Sequence, residues 1–593
     1  MTIEFRQATQ ELFGFLKNTS DLKSAWINSI EVKKNLFLLP VTYSAIHDEN
    51  LITILTQWRN QFRSAYPTQF TATSQSTRNW LENILLPSKN RILFLLIDGG
   101  SNVAGHIGLS ADFETNLNVL EIDNVVKSPD VATRNLMSSS VQKLISWVMP
   151  ILPVDEIYLK VMEDNNHAIR FYSNLGFITS QRLKLRCERK IEDPDFLNFK
   201  IDPDGNDGAM LLMKYRFPKI DSDQMILTAG PSISQMEGYF AYDAAMNGWN
   251  SNWSKYLTQF EQEFATYVGA NFAIATSSCT GALQIALLAS GIGEGDEVIV
   301  PDETWVASAT AVRDVGAIPI FCDVDLSTYN MNLEDCISKI SSKTRAIIPV
   351  HMYGNPANIT ELQRVATEYG LAMIEDAAPA IGAKFSGKCV GTFGQFGCFS
   401  FQGAKMLVTG EGGMLVTNDH GLYEKAKKIA DQGRNPNKTF WIDAKGVKYK
   451  MSNVQAAIGL AQIRRSDLQI SMKRRINAWY KEYLEDLDCI EFQAEYEGAQ
   501  SIHWMTSIRL LENAPITRDD LIAELRSNNI DTRPLFPAIS QYPIWSVPQQ
   551  PNYNAHFLGN SAMNLPSGVG LSRGKVEYIC SKIRNILRVE VKN

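Results

Sequence analysis

The sequence predicts an α/β protein of two domains: an α+β domain first, then a larger domain with a mainly parallel sheet and a small C-terminal lobe. The chain has 593 residues, too many for one core, since domains usually hold about 100–200 residues. After residue 226, short apolar strands alternate with helices, which is typical of a parallel sheet covered on both faces. The polar stretch KYRFPKIDSDQ separates the two patterns. We expect domains at 1–217 and 227–593, joined by a linker at 218–226.

The front half has a pattern of hairpin, strand, helix, strand, helix and strand, which predicts an α+β domain. RILFLLIDGGSNVAGHIGLS predicts two strands with a turn at Asp98–Gly100, and VLEIDNVVKS predicts the next strand. DEIYLKVM predicts another strand, and NNHAIRFYSNLGFI a helix followed by a strand. NLMSSSVQKLISWVMPIL predicts a helix because its apolar residues share one face: Met137, Val141, Leu144, Ile145 and Val148.

The second half begins with a series of short β-rich segments. The predicted strands are FAIATS, DEVIVP, IPIFCDVD, TRAIIPVHMYG and LAMIEDAA. The predicted helices between them are TGALQIALLAS, ETWVASATAVRDVG and ITELQRVATEYG. The last helix places one apolar face on Ile359, Leu362, Ala366 and Tyr369. From about Ile470 the pattern changes to long helices with few strands, which indicates a smaller C-terminal lobe.

The composition argues against several function classes. The chain is 45% hydrophobic and 20% charged, as in soluble globular proteins. Its net charge is −7 and no basic stripe is present, so we expect no nucleic-acid partner. Apolar runs fall far short of the ~20 residues of a spanning helix, and the start lacks a long apolar core, so we expect neither a membrane segment nor a signal peptide. The eight cysteines form no C-x-x-C pair, which indicates no zinc site or disulfide framework and fits a reducing cytoplasm.

Polar residues follow two of the predicted strands, at the edge where parallel sheets bind ligands. After FAIATS, small residues around Cys279 and Thr280 open a helix, whose free N–H groups and dipole suit a phosphate. The same residues are also common as ordinary helix caps. Asp376 ends the strand LAMIE, where its carboxylate could hold a pyridinium nitrogen protonated or simply cap or pair.

Three more residues complete this set. Trp305 follows DEVIVP, where its ring could stack on a flat cofactor or belong to the core. Ser400 and Lys405 lie in FSFQGAKMLVTGEGGM, after a strand and beside a glycine-rich turn. Most lysines in such loops are surface residues. A phosphate cradle, an aromatic ring, an acid and a lysine in this order are nevertheless the groups that pyridoxal 5'-phosphate (PLP) requires.

Residues 226–593 resemble the DegT/DnrJ/EryC1/StrS family of nucleotide-sugar aminotransferases, which have fold type I. The resemblance rests on motifs spread through the segment, including SSCTGALQIALLASGIGEGDEVIVP, VHMYGNPANI, IEDAAPAIGA, FSFQGAKMLVTGEGGM and KYKMSNVQAAIGLAQI. It implies a mainly parallel seven-stranded sheet, Lys405 as the Schiff-base lysine and Asp376 as the partner of the pyridine nitrogen. It also implies that Trp305 stacks on the ring and that three residues hold the phosphate: Cys279, Thr280 and Ser400.

Two positions depart from the family pattern. Pro379 stands where the family often has Gln, Glu or His, and Pro cannot donate a hydrogen bond to the ring hydroxyl. Lys448 stands where many members have Asn, which reaches the phosphate from the neighbouring subunit. A lysine can serve there as a point charge. The family also implies at least a homodimer.

QGRNPNKTFWIDAKGVKYKMSN resembles the perosamine-synthase-like branch of the family most. That branch aminates C4 of a nucleotide-linked 4-keto-6-deoxy sugar, and amination at C3 stays open. We expect glutamate as the amino donor.

VMEDNNHAIRFYSNLGF resembles the signature of the GNAT acyltransferases through Asn165, Ala168, Tyr172, Gly176 and Phe177. The resemblance implies an acyl-CoA site that includes Asn165. In GNAT proteins the loop after VLEIDNVV binds the pyrophosphate through backbone N–H groups. Here that loop lacks the usual glycines, although Arg134 fits its basic position.

The same resemblance suggests residues for proton transfer in the front domain. Tyr172 is the candidate to protonate the leaving thiolate, or a core tyrosine. Glu121 or Asp123 could take a proton from the attacking amine, or simply face solvent. His106 fits a structural histidine better than a base.

Together the two halves predict a bifunctional enzyme for bacterial surface polysaccharides such as O-antigen lipopolysaccharide. It would transaminate a nucleotide-linked keto sugar and then acylate the new amine with acetyl-CoA. Two alternatives stay open: a front half that serves only binding or assembly, or one that acts on a different substrate.

Overall fold

The computed structural model describes residues 3–18, 29–98, 102–113, 118–131, 135–149, 151–152, 154–190, 193–216, 224–435, 437–545 and 552–588. The chain folds into two compact units, Met1–Lys219 and Ile220–Asn593. Residues 218–223 of the predicted linker lie outside the described residues. Each unit has its own cluster of buried apolar side chains.

The first unit is built on strands β1 Ile30–Lys33, β2 Leu36–Pro40, β3 Thr68–Gln69, β4 Arg91–Asp98, β5 Val103–Asp112, β6 Val119–Lys127, β7 Glu156–Met162, β8 Phe177–Lys190, β9 Asp193–Ile201 and β10 Ala209–Tyr215. They form one sheet in the order β1-β2-β4-β5-β6-β7-β10-β8-β9-β3. Its helices are α1 Ile3–Lys17, α2 Glu49–Gln61, α3 Ser74–Trp80, α4 Leu136–Val148 and α5 Asn166–Asn174. This is the α+β architecture that the sequence predicts, and the predicted inward face of α4 is buried.

Strands β6 and β7 form a parallel pair within this sheet. They pair at three positions, the last being Glu121 with Tyr158, although both strands continue further. Beyond this point β6 carries an irregularity, because Asn124 has a φ of 47° and the register against β5 shifts. The two strands therefore part at their carboxyl ends and open a gap in the sheet.

The second unit contains strands β11 Phe272–Thr276, β12 Glu297–Pro301, β13 Ile318–Cys322, β14 Thr344–Ile347, β15 Ala372–Asp376, β16 Lys384–Phe385, β17 Lys388–Cys389, β18 Phe396–Ser400, β19 Gly413–Thr417, β20 Ile490–Phe492, β21 Ala499–Gln500, β22 Thr506–Leu510, β23 Arg533–Pro534 and β24 Ala562–Leu565. Its helices are α6 Gln235–Asn247, α7 Lys255–Val268, α8 Cys279–Ala289, α9 Ala307–Asp314, α10 Leu333–Ser338, α11 Ile359–Glu368, α12 His420–Ala430, α13 Asn453–Ile463, α14 Ser466–Leu484, α15 Arg518–Ser527, α16 Tyr553–Ser561 and α17 Arg573–Arg588.

The central sheet of this unit has seven strands in the order β11-β19-β18-β15-β14-β12-β13. Neighbouring strands from β18 to β13 pair in parallel. Strand β19 is antiparallel to both of its neighbours. All the remaining strands of this sheet therefore run in the same direction. The sequence prediction of a mainly parallel seven-stranded sheet is confirmed, and the carboxyl ends of β15 and β18 lie side by side.

A smaller C-terminal lobe follows the central sheet. It has a four-stranded sheet in the order β20-β22-β24-β23. Its buried cluster draws on α14, β22, α15 and α17, including Trp479, Ile508, Leu521 and Ile583. The predicted lobe is therefore present, and its first long helix begins at Ser466, slightly before Ile470.

Two local predictions need correction. Helix α9 begins at Ala307 and not at Glu303, because the preceding residues form a tight connection in which the Asp302 carboxylate accepts hydrogen bonds from Ser540 and Asn552. In α11 the inward face uses Val365, whereas Tyr369 caps the helix and is 46% exposed. Among the helices of the described residues, none has the length and apolar character needed to cross a bilayer.

Candidate active sites

Asp376 is the last residue of β15 and is buried. Its Oδ2 accepts a hydrogen bond of 2.7 Å from the Ser308 hydroxyl, and its Oδ1 accepts one of 3.0 Å from the Ala378 amide. Both donors stabilise the charged form of the carboxylate. The sequence prediction missed Ser308, although it lies three residues after Trp305, close to one helical turn.

Glu375, the neighbour of Asp376, points to the opposite face of β15, since side chains alternate along a strand. Its fully buried carboxylate accepts hydrogen bonds from the amides of Gly391, Phe393 and Gly394 at 2.6–2.7 Å. The fourth donor is Nε2 of buried His351 at 3.1 Å, whose Nδ1 accepts from the Ala357 amide. Four donors therefore satisfy this carboxylate and fix the strand end that carries Asp376.

Helix α8 begins where β11 ends, as the sequence predicts. Ser278 caps it by accepting a hydrogen bond from the Gly281 amide at 3.1 Å. Cys279 is buried and Thr280 is partly buried in the first turn. Burial, followed by the nearby Asp376 carboxylate, raises the pKa of the Cys279 thiol well above its usual value, so the thiol stays neutral. The first amides of a helix have no helical carbonyl partner and suit an anion.

Ser400 and the start of α8 meet at Gly413. Ser400 is buried at the end of β18 and pairs with Gly413 in the ladder between β18 and β19. A Cβ atom added to Gly413 would lie 2.5 Å from the Ser278 carbonyl carbon and 2.6 Å from the Cys279 nitrogen. Only glycine allows this close approach. The structure therefore brings together Ser400 and the helix start, two of the predicted phosphate ligands.

Lys405 follows the end of β18 and is partly buried. Its Nζ lies 4.0 Å from the centroid of the Trp504 ring. Burial lowers the pKa of the Lys405 amine, whereas the nearby Asp376 carboxylate raises it. The structure therefore places the predicted lysine, acid and helix start close enough to interact. Trp504 was missed because no local pattern links it to Lys405.

Trp305 lies two residues before the start of α9 and is 57% exposed. Its ring contacts Phe536 at 5.4 Å. Phe536 stacks with Tyr353, and Tyr353 stacks with Trp504, each at 6.0 Å. This series of ring contacts connects Trp305 to the ring beside Lys405 and leaves much of the Trp305 ring free for a flat partner.

The two positions that depart from the family pattern lie in different settings. Pro379 is buried just after Asp376. The Lys448 amine forms an ion pair with Asp431 of the same chain at 3.2 Å, and Lys450 shares that carboxylate at 3.0 Å. These contacts place Lys448 beside Asp431 and do not test its predicted contact with a phosphate of a neighbouring subunit.

The residues of this site fit PLP. The Lys405 amine suits the aldehyde, and the Asp376 carboxylate, which accepts two hydrogen bonds, suits the pyridine nitrogen. The start of α8, which packs closely against Gly413, suits the phosphate. Ser400 ends β18, and Trp305 follows β12, which ends at the same edge of the sheet.

In the first unit, Glu121 and Asp123 lie on the same face of β6, as the sequence predicts, but in different environments. Glu121 accepts hydrogen bonds from Lys160 at 3.1 Å and from Tyr158 at 3.2 Å. Asp123 lies 3.4 Å from Arg91. Burial raises the pKa of the Asp123 carboxyl, and Arg91 opposes this shift.

The other predicted residues among those that the structure describes lie on β5 (His106) and on α5 with its cap (Tyr172 and Asn165). Burial raises the pKa of the Tyr172 phenol, and the charge of Asp123 adds to the shift, so the phenol stays protonated. The Asn165 side chain caps α5 by accepting from the Ala168 amide at 3.1 Å. His106 is buried, and its Nδ1 lies 2.6 Å from the Asn124 carbonyl oxygen, which fits the structural role that we expected. Arg134 lies outside the described residues.

The fold and residues of the second unit define a PLP-dependent aminotransferase of fold type I. The chain belongs to the DegT/DnrJ/EryC1/StrS aminotransferase family, whose profile matches residues 233–584. The profile of the acetyltransferase (GNAT) family matches residues 55–177 in the first unit.

Proteins similar to this chain include two GDP-perosamine synthases. That of Escherichia coli O157:H7 is 40% identical over 353 residues, which are 60% of this chain and 96% of the relative. That of Caulobacter vibrioides is 36% identical over 364 residues, which are 61% of this chain and 98% of the relative. Among solved structures, the aminotransferase TlmJ from Streptoalloteichus hindustanus is 28% identical with a TM-score of 0.57, over 61% of this chain and 99% of TlmJ. The chain is thus a sugar aminotransferase of the perosamine-synthase type that also carries a GNAT domain.

Proposed function

We propose that this chain is a bifunctional enzyme that transaminates a nucleotide-linked 4-keto-6-deoxyhexose and then acetylates the new amine. The observation that carries the proposal is the meeting of Lys405, Asp376 and the start of α8 at neighbouring strand ends. The similarity to GDP-perosamine synthases supports a GDP-linked sugar and amination at C4. Amination at C3 is the alternative.

In the transamination, each residue has a separate task. PLP, when bound, supplies an electron sink for the bonds that break at the donor carbon. Lys405 would hold the aldehyde of the cofactor and move the proton at the reacting carbon, since burial lowers the pKa of its amine towards the range in which an amine can act as a base. Asp376 would hold a proton at the pyridine nitrogen. The residues that would bind the phosphate are Cys279, Thr280 and Ser400, and Trp305 would cover the ring.

The amino group would come from glutamate, which leaves as its 2-oxo acid. One water supplies the oxygen of that 2-oxo acid, and one water is released when the sugar ketone takes up the amino group, so the site must admit water between the two halves of the reaction. The aromatic residues Phe536, Tyr353 and Trp504 form an apolar wall on one side of the lysine. Lys448 would add a positive charge near the phosphate of a second copy, in at least a homodimer.

In the acetylation, the sugar amine attacks the thioester of acetyl-CoA within the gap between β6 and β7. One carboxylate accepts the amine proton, and Tyr172 returns a proton to the departing thiolate. Asp123 has partners of its own in Arg91 and Asn124, but burial raises the pKa of its carboxyl, which favours it for the first task. Asn165 and Arg134 would lie along the coenzyme.

The ion pair between Lys160 and Glu121 favours a second candidate function. This candidate is an aminotransferase whose front domain serves only binding or assembly. A front domain that acts on an unrelated substrate is the third. In each case we place the reaction in the cytoplasm and its product in a bacterial surface polysaccharide such as the O-antigen.

The test is mass spectrometry of products from a panel of nucleotide-linked keto-deoxy sugars. Each sugar is incubated with glutamate, PLP and the full-length protein, with and without acetyl-CoA. An amine that becomes an acetyl amide only with enzyme and acetyl-CoA supports both activities and identifies the sugar. An amine that stays free with acetyl-CoA and other acyl-CoA donors supports the second candidate, and acetylation of unrelated amines supports the third.

A further inference from the structure

Lys405 and Trp504 come from distant parts of the second unit. Lys405 follows β18 of the central sheet, whereas Trp504 lies just before β22 of the C-terminal lobe. The Lys405 amine lies over the face of the indole, with 4.0 Å between Nζ and the ring centroid. This distance is well within the range in which an aromatic ring attracts a cation. The lobe therefore supplies one wall of the lysine's environment.

The Trp504 ring is held in place on several sides. The side chain is 7% exposed. Its indole N–H donates a hydrogen bond of 3.0 Å to the carbonyl of Ala404, the residue before the lysine. Tyr353 stacks on the ring at 6.0 Å with 24° between the planes. A ring fixed in this way offers the lysine amine one defined position.

Two titratable groups on other elements lie near the amine. The Asp376 carboxylate at the end of β15 favours the protonated amine, whereas the Cys279 thiol at the start of α8 is neutral and adds no charge. Burial acts in the opposite direction to Asp376 and is the largest effect. The ring of Trp504 adds a second attraction for the charged form, on the side of the C-terminal lobe.

We propose that Trp504 is a positioning residue that holds the Lys405 amine over its ring whenever this amine is not bonded to the cofactor. The inference rests on the proposed function, in which Lys405 must leave the cofactor aldehyde and return to it in every cycle. Holding the amine at one place keeps it close to the reacting carbon. It also stabilises the ammonium form, so that a proton is available when the lysine must donate one.

The test measures capture of PLP by apoprotein of the full chain between pH 6 and pH 10. The neutral amine adds to the aldehyde, a carbon–nitrogen double bond forms and one water leaves, so the midpoint of the rate profile reports the protonation of Lys405. Trp504→Leu removes the ring and keeps the site apolar. We expect its midpoint to fall by about 0.4–1.5 pH units, because the attraction for the ammonium is lost. Trp504→Phe keeps an aromatic face and should shift by less than half as much.

Trp479→Leu is the matched control, because Trp479 is also 7% exposed but belongs to the core of the C-terminal lobe. It should lower thermal stability without moving the midpoint. If Trp504→Leu does not fold, Trp504→Met replaces it. A folded Leu or Met variant with the native midpoint would overturn the inference. If borohydride reduction does not attach PLP to Lys405 in the native protein, the proposed function fails, and the inference fails with it.

Discussion

The hydrogen bond between Ser308 and Asp376 allows a sharp test of how this site works. The Ser308 hydroxyl donates to Oδ2 of Asp376 at 2.7 Å, and both side chains are buried. Ser308→Ala would remove this donor and leave the carboxylate with the bond from the Ala378 amide. A hydrogen bond to a charged group contributes about 1.5–3 kcal/mol. Losing it removes one of the two donors that hold the carboxylate which would pair with the pyridine nitrogen.

If most of that energy acts on the reaction, the rate of the half-reaction with glutamate should fall by roughly 10- to 100-fold. The assay is single-turnover transfer of the amino group from glutamate, followed by the absorbance of the cofactor. Protein stability is measured in parallel by thermal unfolding. Bound PLP should remain, because the phosphate ligands are untouched.

The chain provides a closely matched control in Ser540. Its hydroxyl donates to Oδ2 of Asp302 at 2.8 Å, and both of these residues are also buried. Ser540→Ala therefore removes the same kind of bond away from the lysine. We expect similar losses of stability in the two variants and a large loss of rate only for Ser308→Ala. Equal rates in both, or a native rate for Ser308→Ala, would refute the reasoning.

Four further outcomes can be checked. Lys405→Ala should abolish amino transfer. PLP should still bind this variant through its phosphate contacts but, without the covalent bond, should be removed by dialysis. Native turnover would contradict the assignment. Glu375→Gln should destabilise the second unit by about 3–5 kcal/mol, because an amide cannot accept from four donors, as thermal unfolding would show. Burial lowers the pKa of His106 to about 4. The neutral ring therefore contributes fully to stability above about pH 6.5, and up to about 3 kcal/mol of the free energy of unfolding is lost as the pH falls towards 4. His106→Gln should flatten this part of the profile of melting temperature against pH. Tyr172→Phe should slow acetylation at least tenfold without changing amino transfer, measured on isolated amino sugar.

Much of the second unit could be predicted from the sequence because its strands are short, apolar and separated by regular helices. The strand ends then located Asp376, Ser400 and Lys405 without knowledge of tertiary contacts. Trp504 could not be found in this way, since it reaches the lysine from another lobe. The predicted start of helix α9 is too early because the turn at Asp302 depends on Ser540, which is far away in the sequence.

The first unit illustrates the same limit at a finer scale. Alternation along β6 correctly placed Glu121 and Asp123 on one face. The sequence alone does not distinguish them, because partners come from other strands: Lys160 and Tyr158 on β7 for Glu121, Arg91 on β4 for Asp123. Which carboxylate is available as a base is thus decided by the sheet and not by β6.

Adjacent carboxylates in the second unit divide structure and chemistry in a related way. Because side chains alternate along β15, Glu375 faces the loop at 391–394 while Asp376 faces the lysine. The first is saturated by four donors and has no capacity left for a substrate, whereas the second accepts from two and can still accept a third. Loss of either would lower activity, but for different reasons. Only Asp376 variants should change the cofactor spectrum at full occupancy, whereas Glu375 variants should change occupancy and stability first, because they release the strand end that Asp376 needs.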